Sequence, residues 1–160
     1  MTLFGTQQVN GDGHLCIGGC DTVALAAQFG TPLYVIDEAL VRENCRRYLK
    51  AFRAVLPRVE VAFAGKALLT TAICRLMDQE GMALDTASAG ELYTALQAGF
   101  PPARIKLHGN FKKDDLLRLA LETGVGRIVV DSVDELHALS RIAGEMGRTA
   151  DILIRIAPGI

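Results

Sequence analysis

Four residues of this chain stand where side-chain chemistry would be useful: Lys66, Asp85, His108 and Arg155. Lys66 closes the stretch Val59 to Ala67, in which β-branched and aromatic residues alternate with small ones before the helical pattern Leu68, Leu69, Ile73 begins. That spacing predicts a strand with Lys66 at its carboxyl end. Ligands of α/β folds bind at that end, and Ala64, Gly65 and Ala67 leave room there for something planar and bulky. An amine partly withdrawn from water deprotonates more readily and becomes a nucleophile toward a carbonyl; the alternative is a strand-end lysine pointing into solvent. Asp85 stands two residues before a second strand end, as a site carboxylate or as one satisfied by backbone amides. His108 ends a third strand beside Gly109, either on the same edge as Lys66 or as an ordinary satisfied histidine. Arg155, near the end of a fifth strand among Ile152, Ile154 and Ile156, is a cation that needs a partner.

The elements that position these residues repeat. From Val59 onward, strand ends fall near Lys66, Ala87, His108, Asp131 and Ile156, separated by 21 to 25 residues with a helix in each gap. The helices are expected at about 67–80, 89–98, 113–123 and 133–146, and Gly81, Gly99, Gly124 and Gly147 follow them as C′ glycines. Ser88-x-x-Glu91 and Ser132-x-x-Glu135 have capping-box spacing, which accounts for Glu91 without a role in chemistry. His137, mid-helix between Leu136 and Leu139, reads as structural. Strict βα alternation requires parallel strands with right-handed crossovers, in an open doubly wound sheet or a closed barrel. No Gly-x-Gly-x-x-Gly or Walker-type loop follows a strand, so the barrel is favoured. A barrel takes eight units and roughly 200 to 250 residues, and about five are present.

Ahead of this region lies a glycine-rich arm with short extended pieces such as His14 to Ile17. Asp21 or Thr22 caps a short helix, Val23 to Phe29; Pro32 to Ile36 reads as a strand; Asp37 caps an amphipathic helix that runs until Pro57. The expected division is an arm and lead-in over 1–36 and a partial (β/α) barrel domain over 37–160. The chain is 50% hydrophobic and 22% charged, with a formal net charge of −1, which fits neither disorder nor a nucleic-acid partner. No stretch has the pattern of a leader or a membrane span, so a cytoplasmic protein without a membrane partner is expected. Cys16, Cys20, Cys45 and Cys74 lack the paired spacing of a zinc site, and no metal is expected.

Phe63-Ala64-Gly65-Lys66-Ala67 resembles the Tyr-Ala-x-Lys-Ala strand end of the fold-type III pyridoxal-phosphate enzymes, the group of alanine racemase and the ornithine and diaminopimelate decarboxylases. Five further segments resemble the diaminopimelate decarboxylase branch in order and spacing: Leu3 to Gln7, Ile17-Gly18-Gly19, Phe29 to Val35, Asp85 to Leu92, and His108-Gly109-Asn110, with Arg155-x-x-Pro158-Gly159 completing the set. Gly65 departs from the family's usual Ser or Val, and Phe63 from its Tyr.

The resemblance implies a (β/α)8 TIM-type barrel of the alanine racemase/decarboxylase type, with the remaining units and a C-terminal β domain beyond residue 160. It implies pyridoxal 5′-phosphate as cofactor, carried covalently by Lys66, with Asp85, His108 and Arg155 on the cofactor side. The implied reaction is decarboxylation of a small amino acid, meso-2,6-diaminopimelate, to L-lysine in lysine biosynthesis, by a homodimer when complete; the 160 residues alone are expected to be inactive. A noncatalytic cofactor-binding relative, or a decarboxylase of another diamino acid, is the alternative.

Overall fold

The computed structural model describes residues 2–159; Met1 and Ile160, the outer bounds of the two expected domains, lie outside the described residues. The chain forms two compact units, residues 1–57 and 58–160.

In the first unit, β1 (Gln8–Val9), β2 (Leu15–Ile17) and β3 (Cys20–Asp21) form an antiparallel sheet in that order. Gly18 and Gly19, both at positive φ, make the two-residue turn between β2 and β3, as a primed hairpin turn requires. Asp21 caps α1 (Thr22–Phe29) by accepting from the amides of Val23 and Ala24. Asp37 caps α2 (Glu38–Arg53) through the Leu40 amide and also accepts from Thr6 N and Oγ1 at 2.9 and 2.7 Å, fastening the arm to the helix. The strand expected over Pro32–Ile36 does not form. Its composition suits a strand, but a strand also needs a partner for its hydrogen bonds, and Tyr34 is 97% exposed.

The second unit alternates β4 (Ala62–Ala64), α3 (Thr71–Gln79), β5 (Ala83–Thr86), α4 (Ala89–Gln97), β6 (Ile105–Leu107), α5 (Asp114–Thr123), β7 (Arg127–Val130), α6 (Val133–Met146) and β8 (Ile152–Ile154). All five strands are parallel and lie side by side in chain order. A doubly wound sheet reverses its strand order at a switch point; this one does not. The two faces differ accordingly. Leu84, Thr86, Ile105, Leu107, Ile128 and Val130 alternate onto one face and are buried with the helix residues Met77, Leu92, Leu117, Leu139 and Ile142. The register Ala64, Asp85, Lys106, Arg127 runs across the other face, which carries charge. Helices on one side and a polar face on the other make this the wall of a (β/α)8 barrel, five of its strands in sequence.

The helix ends follow the glycines as expected: Gly124 and Gly147 are left-handed C-caps, and Gly81 and Gly99 have positive φ one residue beyond theirs. The first barrel helix begins later than its sequence suggests. Gly65–Ala67 is a 3-10 turn, and Thr70 caps α3 by accepting from Ile73 N. Lys66 therefore sits in the turn after β4.

Candidate active site

Lys66, Asp85, His108 and Arg155 line one cleft of about 270 Å³ at the carboxyl ends of β4, β5, β6 and β8, together with Ala87, Gly109 and Asn110. Parallel pairing brings them together. Each βα unit ends at the same edge of the sheet, so residues far apart in sequence become neighbours across adjacent strand ends.

Lys66 makes no hydrogen bond or ion pair among the described residues, and its side chain is exposed. The expected withdrawal of its amine from water is therefore not produced by these residues, because the cleft wall they build is open on the side away from the sheet. Its charge acts on Asp85 across the cleft. Gly65, just before it, packs closely on β5: a Cβ there would stand 2.8 Å from the Asp85 carbonyl oxygen. The small residue thus accompanies a tight junction between the lysine turn and the neighbouring strand.

Asp85 follows Leu84 in β5 and points to the polar face. Its Oδ1 is buried without a hydrogen-bond partner, and His108 Nε2 stands 3.5 Å from it, too far for a good hydrogen bond. Burial pushes the Asp85 carboxyl above the usual carboxylate range, while the nearby His108 and Lys66 charges pull it down and Glu91 pushes it further up. The backbone-amide alternative for Asp85 is excluded at Oδ1. Glu91 N does accept the capping role, donating to Ser88 Oγ, and the Glu91 carboxylate receives the Ala87 amide at 2.5 Å, fixing the turn beside Asp85.

His108 is held by its own amide, which donates to the Thr86 carbonyl at 2.7 Å. Gly109 then takes φ +110°, and a Cβ there would lie 3.0 Å from the Ala87 carbonyl oxygen. Arg155 finds its partner in Asp131, at the end of β7, at 3.0 Å, and its amide donates to the Val130 carbonyl. The arginine side chain is 62% exposed and reaches the cleft from the fifth strand. In the sequence Asp131 shows only as a strand end.

Two residues beside the cleft escape sequence reasoning. Lys112 and Glu135 form an ion pair at 2.8 Å, with side chains 0% and 7% exposed. Ser132-x-x-Glu135 spacing assigns Glu135 to a capping box, and Ser132 Oγ does accept from Glu135 N; the carboxylate, however, turns to Lys112. No local pattern couples two residues that meet across two elements.

The donor set suits the reactive end of a carbonyl cofactor. It offers a primary amine without a competing partner, a buried carboxylate oxygen that still lacks a donor, an imidazole and a guanidinium, around a space that none of their side chains fills. Among the described residues no helix is long and apolar enough to cross a membrane.

Residues 39–160 match the pyridoxal-dependent decarboxylases over their pyridoxal binding domain. Over all 160 residues the chain is 47% identical to a diaminopimelate decarboxylase of Bacillus subtilis (strain 168), covering 36% of that protein. A crystal structure of a diaminopimelate decarboxylase from M. jannaschii superposes with a TM-score of 0.90 at 34% identity, covering 97% of this chain and 36% of that one. The same enzyme in co-complex with L-lysine gives 0.86 at 33% identity. The chain thus spans about 36% of the length of these relatives. Fold, cleft and sequence agree, and the chain belongs to the pyridoxal-dependent decarboxylase family, within its pyridoxal binding domain.

Proposed function

We propose that this chain is the lysine-bearing part of a diaminopimelate decarboxylase, a carboxy-lyase that converts meso-2,6-diaminopimelate to L-lysine and carbon dioxide in lysine biosynthesis. What supports this reading most is the meeting of Lys66, Asp85, His108 and Arg155 in one cleft, in a chain whose 160 residues are 47% identical to 36% of such an enzyme. A relative crystallised with L-lysine fits the same product. In this reading the complete protein is a cytoplasmic homodimer.

Bound pyridoxal phosphate supplies a ring that accepts the electron pair left when the carbon–carboxylate bond breaks. The rest falls to side chains. Lys66 Nζ would hold the cofactor covalently, and its amine would be the group placed to return a proton to the substrate carbon. Asp85 lies where its unpartnered Oδ1 can receive a proton-bearing nitrogen, and His108 stands close enough to be oriented by that carboxylate. Arg155, steadied by Asp131, presents a cation toward the anionic substrate. The arm residue Asp37 and the caps of α1 and α2 organise the first unit and take no part in bond-making.

The 160 residues alone are proposed to be inactive. Leu153, Ile154 and Ile156 are 41%, 66% and 78% exposed along β8 and just after it, a strand with one neighbour among the described strands, and the cleft stands open. The test is turnover by the complete protein on meso-diaminopimelate, L-lysine and L-ornithine, followed by carbon dioxide release and product identification. Lysine formed from diaminopimelate, with kcat/KM about 100-fold or more above that for the other two, is expected. Faster release from lysine or ornithine would make it a decarboxylase of another diamino acid, and no release from any would make it a noncatalytic relative.

A further inference from the structure

We infer that the buried Lys112–Glu135 pair is a positioning device that sets the His108–Gly109–Asn110 side of the cleft. Lys112 Nζ donates to the Gly109 carbonyl at 2.6 Å and to the Val129 carbonyl at 2.8 Å, and meets Glu135 Oε1 at 2.8 Å as an ion pair lying off the hydrogen-bond direction. One ammonium group therefore joins the loop after β6, the end of β7 and the first turn of α6.

The geometry concentrates on Gly109. Its carbonyl is gripped by Lys112 on one side, and its Cα packs against the Ala87 carbonyl on the other, so closely that a Cβ would stand 3.0 Å away. His108 precedes it, with its amide bound to Thr86 and its ring 3.5 Å from Asp85. Backbone on both sides of the imidazole is thus fixed: the Thr86 and Ala87 contacts tie it back to the β5 unit, and the ammonium ties it forward to β7 and α6.

Holding α6 to the sheet does not require this pair. Two buried charges lose their hydration, and a well-packed apolar pair of similar volume holds elements together as well or better. What an apolar pair cannot do is grip two carbonyl oxygens. Removing only one partner would strand a buried charge and confuse the two roles, so the informative change removes both.

The inference concerns this cleft and rests on the proposed function only in calling it a cofactor site. The test uses the complete protein, cofactor-free, with 13C-labelled histidine, the His108 signal being identified by its loss in His108→Gln. The groups that line the cleft with this imidazole are Asp85, Lys66 and Arg155. In Lys112→Met/Glu135→Met the His108 titration midpoint is expected to move by roughly 0.5 pH unit or more, with the melting temperature within a few degrees of the parent, and the Kd for added pyridoxal phosphate is expected to rise at least fivefold. An unchanged His108 titration in a folded double variant would overturn the assignment. Should the double variant not fold, Lys112→Met/Glu135→Gln, which also removes both charges and the grip on the carbonyls while keeping a polar side chain at 135, is read in the same way: a shifted His108 midpoint supports positioning and an unshifted one overturns it. A protein that binds no pyridoxal phosphate while its His108 signal still shifts would refute the function and leave the positioning role standing.

Discussion

His108 Nε2 lies 3.5 Å from Asp85 Oδ1, a buried oxygen that no hydrogen bond satisfies. The two residues come from adjacent parallel strands and meet at the edge where Lys66 emerges. A carboxylate oxygen buried here without a hydrogen bond is a cost to folding that the fold retains, as functional sites commonly do.

That cost has a pH signature. Burial raises the Asp85 carboxyl above the usual range, so the folded chain binds this proton more tightly than the unfolded one, and stability falls as pH rises from the unfolded value through the raised folded one. Asp85→Asn removes the penalty. The variant should melt at a higher temperature than the parent near neutral pH, and the gap should close as pH drops below the ordinary carboxylate range. Destabilisation at every pH would contradict the reading.

Asp21 behaves in the opposite sense. It accepts from the amides of Val23 and Ala24, from Asn10 Nδ2 at 2.9 Å and from His14 Nδ1 at 2.8 Å. The hydrogen bond with His14, followed by the helix amides, brings its carboxyl down to about 2. The stabilisation is complete above the ordinary carboxylate range and is lost as pH falls toward 2. Carbon-detected NMR should find Asp21 titrating well below the ordinary aspartate range, and Asp21→Ala should speed amide exchange at Val23 and Ala24. A midpoint in the usual range would contradict these hydrogen bonds to Asp21.

Most of the barrel wall could be read from sequence, because its signals are local. Ser88 and Ser132 cap where their spacing says, and glycines stop α3, α4, α5 and α6. The strands end within two residues of where the apolar runs do. The place of Lys66 just past the first barrel strand is legible, but its turn is not: Gly65 to Ala67 has no pattern that separates a 3-10 turn from the start of a helix. The segment 32–36 failed because composition cannot supply a partner strand. Within the cleft, Asp85, His108 and Arg155 were placed by strand ends alone. Lys112, Glu135 and Asp131 were missed, since their partners are brought to them by neighbouring βα units rather than by neighbouring sequence.

The core of the wall should respond to volume. Leu117 of α5 is fully buried, so Leu117→Ala in the complete protein should cost about 2–5 kcal/mol in denaturant unfolding, and Leu117→Met less than about 1.5 kcal/mol. Equal losses for the two would mean that packing at this position is not what holds α5 to the sheet.

Whether Lys66 carries the cofactor is reached directly by one measurement. The complete protein is loaded with pyridoxal phosphate, reduced with borohydride, digested and mapped by mass spectrometry, alongside Lys66→Ala. The label should fall on the peptide containing Lys66 and disappear in the variant, which should stay folded and lose turnover by several orders of magnitude. Label on another lysine, or undiminished label in Lys66→Ala, would contradict the account.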